Sequence, residues 1–268
     1  MKLSITIFFL GLTNLNLAQI SSKEESTEVK DPEWVDNPEI ELPESVIVCP
    51  KYSSDRDDCI KKSIQHLIPT FKDGYPQLGI APFDPLLVKK AYFEYKQNQL
   101  LATLNIKNAK VYGMSGAEVQ EVRSNLTEES MDLEFDVRFP KVLMEGNYKG
   151  EGRFNEYKVK SRGFFNVSYS NVFIMWKMSA NLENRNGENY MKVQSVNIVP
   201  AVGHMKVFAT GIFPDPILNQ LALDFINEYW PYYYQQMLPE TRKSWEPILV
   251  NAVNQIFDRI PFRRLMSV

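Results

Sequence analysis

A long run of alternating apolar and polar residues occupies the middle of the chain, from about residue 86 to residue 210. Alternation with a period of two is typical of strands that bury one face. No helical pattern interrupts the run, which predicts an antiparallel sheet, and the length of the strands favours strong curvature. The alternation directs Val137, Phe139, Ile174, Trp176 and Met178 toward the inside of this sheet.

Helical spacing precedes the alternating run. Ile60, Ile64, Leu67 and Ile68 lie at i, i+4, i+7 and i+8, which places them on one face of a helix. Pro69 is expected to end that helix, because proline cannot continue the backbone hydrogen bonding. The pattern therefore predicts a short N-terminal helix with one buried side.

The last third of the chain contains two further amphipathic stretches, between about residues 217 and 260. In the first of them the apolar spacing predicts that Leu221, Phe225 and Tyr229 face the sheet. The stretches contain Pro231, Pro239 and Pro247. We therefore expect kinks or a short break rather than one straight rod. The predicted fold class is α+β, with a highly curved antiparallel sheet wrapped around a long C-terminal helix.

The beginning of the chain differs from the rest. Lys2 precedes a short apolar run, which is typical of a signal peptide and too short to span a membrane. We predict a signal peptide at residues 1–18, which implies a secreted, extracellular protein. Residues 19–45 are rich in Glu, Asp, Ser and Pro, and this composition predicts a disordered acidic arm. By length alone, the remaining residues, 46–268, could form one large domain or two small ones.

The two cysteines, Cys49 and Cys59, are expected to form a disulfide in an oxidising compartment. The alternative is a pair of buried free thiols. Asn125 and Asn166 each begin an Asn-X-Ser/Thr triplet, so both are predicted glycosylation acceptors.

The composition excludes several function classes. The net charge of −3 gives no basic footprint for nucleic acid. The only histidines are His66 and His204, and Ser115 lacks the glycine spacing of a nucleophile elbow. The sequence contains neither a phosphate-binding loop nor a dinucleotide fingerprint. We therefore predict no metal site, no cofactor, no catalytic residue and no transmembrane segment.

Five segments, in order along the chain, resemble the takeout / juvenile-hormone-binding family. The first is the Cys49…Cys59 pair leading into a helix. The second, from Asp73 to Leu86, is similar to the family signature D-G-x-P-x-L-G-I-P-x-x-D-P-L, with Ala81 in place of proline. The other three are Val111-Tyr-Gly-Met-Ser-Gly116, then Gly150-Glu-Gly-Arg-Phe154 with Gly163-Phe-Phe-Asn-Val167, and finally Asp224-Phe-Ile-Asn-Glu-Tyr-Trp230 with Ile260-Pro-Phe262.

The resemblance implies that residues 46–268 are one ligand-binding domain, similar in architecture to lipid-binding proteins of the bactericidal/permeability-increasing type. It also implies a hydrophobic tunnel between helix and sheet. The expected function is that of a carrier for a small hydrophobic ligand: a terpenoid such as juvenile hormone, a fatty acid or a similar lipid. The chain lacks the second disulfide of the hormone carriers, so it resembles takeout more closely. The side chains predicted to line the tunnel are Val137, Phe139, Ile174, Trp176, Met178, Leu221, Phe225 and Tyr229.

Two alternatives stay open at this point. One is an extracellular interaction or regulatory protein with a filled core, which would act through its surface on a receptor or a membrane. The other is an enzyme of unrecognised type. An internal void would favour the carrier over the interaction protein. The sequence does not predict the oligomeric state.

Overall fold

The computed structural model describes residues 41–97, 100–154 and 157–267, and the fold class is α+β, as predicted. The predicted signal peptide at 1–18 and the predicted arm up to residue 40 lie outside the described residues. The described residues form two α-helices and eight strands. Their bounds are β1 Cys49–Pro50, α1 Arg56–Thr70, β2 Leu86–Gln97, β3 Leu100–Tyr112, β4 Glu118–Leu126, β5 Ser130–Phe154, β6 Tyr157–Arg185, β7 Glu188–Ala209, α2 Pro216–Phe257 and β8 Met266–Ser267.

Six of the strands form one antiparallel sheet in the order β2-β3-β5-β6-β7, and β4 pairs with the first part of β5. Strands β5 and β6 run for 25 and 29 residues and pair along almost their whole length. In this register Val137 lies opposite Ile174, and Phe139 lies opposite Val172. Paired residues point to the same face. All four are buried, which confirms the inward face predicted from the alternation.

Glycines inside the long strands allow neighbouring segments to approach more closely than a side chain permits. A Cβ added to Gly146 in β5 would lie 2.8 Å from the Cα atom of Ala109. A Cβ added to Gly163 in β6 would lie only 1.9 Å from the carbonyl oxygen of Thr210. Glycine within a strand marks such close backbone approaches. Replacing either residue would therefore force the neighbouring strands apart.

Helix α2 packs along β7, the last strand of the sheet, and asparagine side chains join the two elements. The Oδ1 atom of Asn227 accepts a hydrogen bond from the Val207 N–H at 2.7 Å, and its Nδ2 donates to the Val207 carbonyl at 2.9 Å. Asn254 makes the same two bonds with Val193, at 2.8 and 2.9 Å. A side-chain amide carries both a donor and an acceptor, so it can satisfy the backbone groups of an edge strand.

Helix α2 is a single helix of 42 residues, so of the two predicted alternatives, kinks or a short break, the break is wrong. At its start the Asp215 carboxylate accepts hydrogen bonds from the N–H groups of Ile217 and Leu218, and Pro216 occupies the first helical position. Proline is tolerated at that position because its missing N–H has no helical partner. Each interior proline removes one backbone hydrogen bond. The contacts with β7 on both sides of the prolines hold the helix together across them.

The N-terminal part of the domain closes one end of the sheet. The disulfide between Cys49 and Cys59 joins β1 to α1, as predicted. Strand β1 pairs in parallel with β8, which places Cys49 opposite Met266. Both ends of the described domain therefore meet beside α1. None of the described helices has the length and apolar character needed to cross a membrane.

Residues 41–45, which the composition predicts to belong to the arm, pack against the domain. The Tyr75 hydroxyl donates to the Glu41 carbonyl at 3.1 Å. Leu42 packs against a small buried cluster of Leu78, Ile80 and Ile260. The packed domain therefore includes residue 41, and the boundary predicted after residue 45 is too late.

Candidate functional site

An apolar cavity of about 390 Å³ lies between α1, the first half of β5 with the second half of β6, and the C-terminal end of α2. The site therefore occupies one end of the sheet rather than the full length of α2. Its position differs from a tunnel running between the sheet and the whole C-terminal helix.

Helix α1 supplies one wall of the cavity. Ile60, Ile64, Leu67 and Ile68 all line it, so the face predicted from their helical spacing is the face that the cavity uses. The disulfide fixes the start of this helix, and the Cys49 side chain is itself part of the wall. The wall is therefore held covalently as well as by packing.

The sheet supplies the opposite wall. Val137, Phe139, Trp176 and Met178 line the cavity, as the alternation predicted. Ile174 is buried in the main core and is not part of the lining. The ring of Trp176 stacks on Phe135 with 5.5 Å between ring centroids and 7° between planes. Stacked aromatic rings at this separation stabilise each other.

The predicted orientation of the helix side chains is wrong. Leu221, Phe225 and Tyr229 are 59%, 51% and 45% exposed, and none of them lines the cavity. The first half of α2 carries apolar residues on two faces. The face that packs inward holds Leu223 and Trp230, and between them lies Asn227, bonded to β7.

The second half of α2 contributes instead. Val253, Ile256 and Phe257 line the cavity, and Val253 and Ile256 belong to the second amphipathic stretch. The helical spacing of the apolar residues in that stretch therefore indicated the face that lines the cavity.

Other lining residues have no periodic signal in the sequence. Several come from the chain between residues 71 and 83, and others come from the two ends of the domain. They are Leu42, Val46, Ile47, Phe71, Leu78, Ile80, Phe83, Phe262, Leu265 and Met266. Part of this wall belongs to the segment from Asp73 to Leu86, which stands out in the sequence through its resemblance to the family signature rather than through any periodicity.

The cavity carries almost no polar chemistry. No charged residue lines it among the residues that the structure describes. Ser63 contributes the hydroxyl group of the lining, and its Oγ accepts a hydrogen bond from the Ile47 N–H at 3.1 Å. The Trp176 indole is the other polar group there. A ligand in this cavity is therefore held by burial of apolar surface rather than by ionic contacts.

Polar residues near the site hold its walls in place. The buried Asp84 carboxylate accepts hydrogen bonds from the backbone N–H groups of Gly113 and Ser115, at 3.0 and 2.8 Å, and from the Ser115 hydroxyl. This fixes the turn from which Met114 and Ala117 enter the lining. Ser115 thus has a structural contact that accounts for its position.

Further along α2, the Tyr234 hydroxyl donates to the Pro200 carbonyl of β7 at 2.8 Å. Burial raises the pKa of this tyrosine well above its usual range. Within the described part of the chain, no group of three or more His, Cys, Asp or Glu side chains is placed to hold a metal ion.

The two predicted glycosylation acceptors lie in strands. Asn125 is exposed in β4, close to the end of the strand. Asn166 is half-buried in the middle of β6, opposite Glu145 and Phe208. Glycosylation of either residue stays a prediction.

The chain matches the model of one protein family and several known proteins. The model of the haemolymph juvenile hormone binding protein family matches residues 33–267. A putative beta-carotene-binding protein of Schistocerca gregaria is 21% identical over 208 residues, which make up 77% of this chain and 82% of that protein. The circadian clock-controlled protein daywake of Drosophila melanogaster is 17% identical over 215 residues, with the same coverage of 77% and 82%.

A solved structure has the same fold. The crystal structure of Takeout 1 from Epiphyas postvittana matches with a TM-score of 0.66 at 19% sequence identity. The match covers 82% of this chain and 99% of that one.

Proposed function

Because this chain belongs to the haemolymph juvenile hormone binding protein family, we propose that it is a secreted carrier that holds one small, uncharged apolar molecule in the cavity beside α1. The observation that carries the proposal is the cavity itself, which has an apolar lining and a volume of about 390 Å³. Ligand sites of small molecules have volumes of roughly 300–1,000 Å³. The disulfide supports an extracellular location, since such bonds persist in oxidising compartments.

The lining favours a neutral ligand over an ionised one. A buried carboxylate needs a cation or several hydrogen-bond donors, and the described lining offers one hydroxyl and one indole. A carboxylic acid with an ordinary pKa near 4.3 could enter as the neutral acid, but protonating it at pH 7 costs about 3.7 kcal/mol. This narrows the ligand classes expected from the sequence. We place neutral terpenoids, esters and hydrocarbons ahead of free fatty acids.

One relative points in the same direction. The Schistocerca gregaria protein is described as a putative beta-carotene-binding protein, and beta-carotene is a hydrocarbon without any charged group. The cavity favours the carrier over the filled-core alternative, because the apolar side chains around it leave a volume of about 390 Å³ unfilled. A carrier role also needs no acid or base, and no Asp, Glu, His or Lys side chain lines the cavity among the described residues.

A matched pair of probes tests the proposal. cis-Parinaric acid and its methyl ester differ by one methyl group and by the charge of the head group, and both fluoresce when they enter an apolar site. We expect the ester to bind at least about tenfold more tightly than the acid at pH 7, with the difference shrinking as the pH falls toward the pKa of the acid. Equal binding of the two probes would refute the preference for neutral ligands.

Two variants of one strand show where the probe binds. Met178→Arg places a guanidinium inside the cavity, whereas Met175→Arg places it on the opposite face of β6. We expect loss of ester binding only in the first variant. If the wild type binds neither probe and native mass spectrometry finds no lipid, the carrier proposal fails.

A further inference from the structure

The outer face of the sheet carries a band of basic side chains far from the cavity. Lys107 and Lys110 come from β3, Lys149 from β5, and Lys158, Lys160 and Arg162 from β6. We call these six residues the basic band. All six are exposed.

The strand register places the band on one face. Lys149 pairs with Arg162, and two residues earlier in β6 Lys160 pairs with Glu151. Lys107 and Lys110 both point outward because the register of β3 shifts between them, at Asn108, whose φ of 51° is left-handed. The positions follow one another at spacings of two residues on β6, so their side chains share a face.

The band has few carboxylates to neutralise it. Among the described side chains on the same part of this face, the acids are Glu145 and Glu151. Glu145 accepts a hydrogen bond from the Tyr112 hydroxyl at 3.2 Å. Glu151 lies 3.7 Å from the Lys160 Nζ, and both are largely exposed, so this pair is weak.

The other end of the same face has the opposite character. There Arg123 contacts Glu121, Glu134 and Asp136, and Arg138 contacts Glu118. The Lys177 Nζ lies 2.6 Å from Glu134, which lowers the pKa of that carboxyl group. These three cations of the outer face are thus paired within the sheet, whereas the basic band presents its charge to solvent.

The net charge of the whole chain gives no indication of this band. Residues 19–45 contain nine carboxylates and two lysines, so the acidity of the protein is concentrated in the predicted arm. Residues 46–268 carry a net positive charge. The total charge of the chain therefore does not describe the charge of residues 46–268, and the absence of nucleic-acid binding stays a prediction.

We propose that the basic band docks the protein on the surface of an anionic phospholipid membrane. The positive residues form a two-dimensional grid rather than a groove. With strands about 4.8 Å apart and residues about 3.3 Å apart along them, the grid on these three strands measures roughly 10 Å by 25 Å. A grid of this kind matches the head groups of a lipid surface, whereas a single-stranded polyanion is normally held in a groove that follows its backbone.

Two exposed aromatic side chains border the band on the same face. Phe164 follows Arg162 by two residues in β6 and is 38% exposed, and Phe208 of β7 is 53% exposed. Phe208 pairs with Asn166, one step beyond Phe164. Aromatic side chains beside cations are the combination that interfacial membrane binding uses. This docking does not depend on what the cavity holds, because the two sites use different parts of the strands.

Vesicle binding tests the proposal directly. The secreted protein should sediment with phosphatidylcholine vesicles that contain phosphatidylserine and not with pure phosphatidylcholine, and added salt should weaken the binding. A triple variant with Lys149→Gln, Lys160→Gln and Arg162→Gln should lose at least about tenfold in affinity. The matched control is Lys62→Gln, Lys72→Gln and Arg259→Gln, which removes the same charge from exposed positions near the cavity. It should bind within about twofold of the wild type. Equal binding by wild type and triple variant would overturn the proposal.

A second variant separates lipid from other polyanions. Phe208→Gln should weaken binding to the phosphatidylserine vesicles while leaving binding to heparin unchanged. Heparin binding without vesicle binding would identify the band as a polyanion site and overturn the membrane proposal. The proposal also fails if Asn166 carries a glycan and enzymatic removal of that glycan does not restore vesicle binding, since a glycan there would cover the face.

Discussion

Enlarging one side chain should distinguish a real cavity from a packed core by the sign of the stability change. Val137 and Val142 lie on the same strand, β5, and both are buried on the concave side, but only Val137 lines the cavity. Replacing valine with phenylalanine adds four carbon atoms. Burial contributes about 0.8 kcal/mol per methylene, so the upper limit of the gain at position 137 is about 3 kcal/mol.

Part of this gain is lost, because the new ring touches atoms on one side only and its rotation is restricted at a cost of about 0.5–1 kcal/mol. We therefore expect Val137→Phe to be neutral or to stabilise the protein by about 1 kcal/mol. Val142→Phe has no space to enter, and overpacking should cost about 1–3 kcal/mol or more. The free energy of unfolding of both variants is measured by urea denaturation.

The same two variants should differ in ligand binding. Val137→Phe occupies part of the cavity and should weaken binding of methyl parinarate, whereas Val142→Phe should not change the affinity of the folded protein. If Val137→Phe destabilises the protein as much as Val142→Phe does and leaves probe binding intact, the cavity at this position does not exist. That result would revive the filled-core interpretation.

Three further outcomes are expected. A chain beginning at residue 41 should melt within a degree or two of one that begins at residue 19. A chain beginning at residue 46 should melt several degrees lower, because it loses the Leu42 contacts with the cavity wall. Calorimetry with an unchanged midpoint for both shortened chains would contradict this. Asn254→Ala should lower the free energy of unfolding, measured by urea denaturation, by about 1–3 kcal/mol, because it leaves backbone groups of Val193 unpaired. As a control, Asn251→Ala at an exposed position of the same helix should lower it by less than about 0.5 kcal/mol. Thiol titration of the denatured, unreduced protein should find no free thiol, and reduction should cost about 2–3 kcal/mol for a loop of this length.

The inner face of the sheet was predictable because its signal is local. Strict alternation fixes which side chains share a face, and only one face of this sheet is buried. Val137, Trp176 and Met178 are therefore assigned to the interior without any knowledge of the partner element. The same holds for α1, where a single apolar stripe leaves no choice of side.

The inward side of α2 could not be chosen from apolar spacing alone. Leu223, Asn227, Trp230 and Tyr234 also lie at helical spacing, at i, i+4, i+7 and i+11. This second stripe is the buried one, but it contains an asparagine that a hydrophobic pattern discounts. The asparagine is there because the helix packs on an edge strand, and which strand forms the edge depends on the topology of the whole sheet.

The position of the cavity and the basic band were hidden for different physical reasons. The cavity draws Leu42, Phe83 and Met266 from distant parts of the chain, and no periodicity connects them. The band depends on the pairing of β3, β5 and β6, and its charge is cancelled in the composition by the acidic residues before the domain. Both features arise from contacts between residues far apart in the sequence, so no local pattern predicts them.

The asparagine contacts between α2 and β7 also affect how quickly the protein aggregates in solution. An edge strand with free backbone groups is a template for the strands of other molecules, and β7 is 22 residues long. Here side-chain amides of the helix engage part of that edge, so an incoming strand has to displace α2 before it can add to the sheet. Fibrous association through β7 is then limited by the rate at which a 42-residue helix detaches. The packing of α2 on β7 thereby slows aggregation.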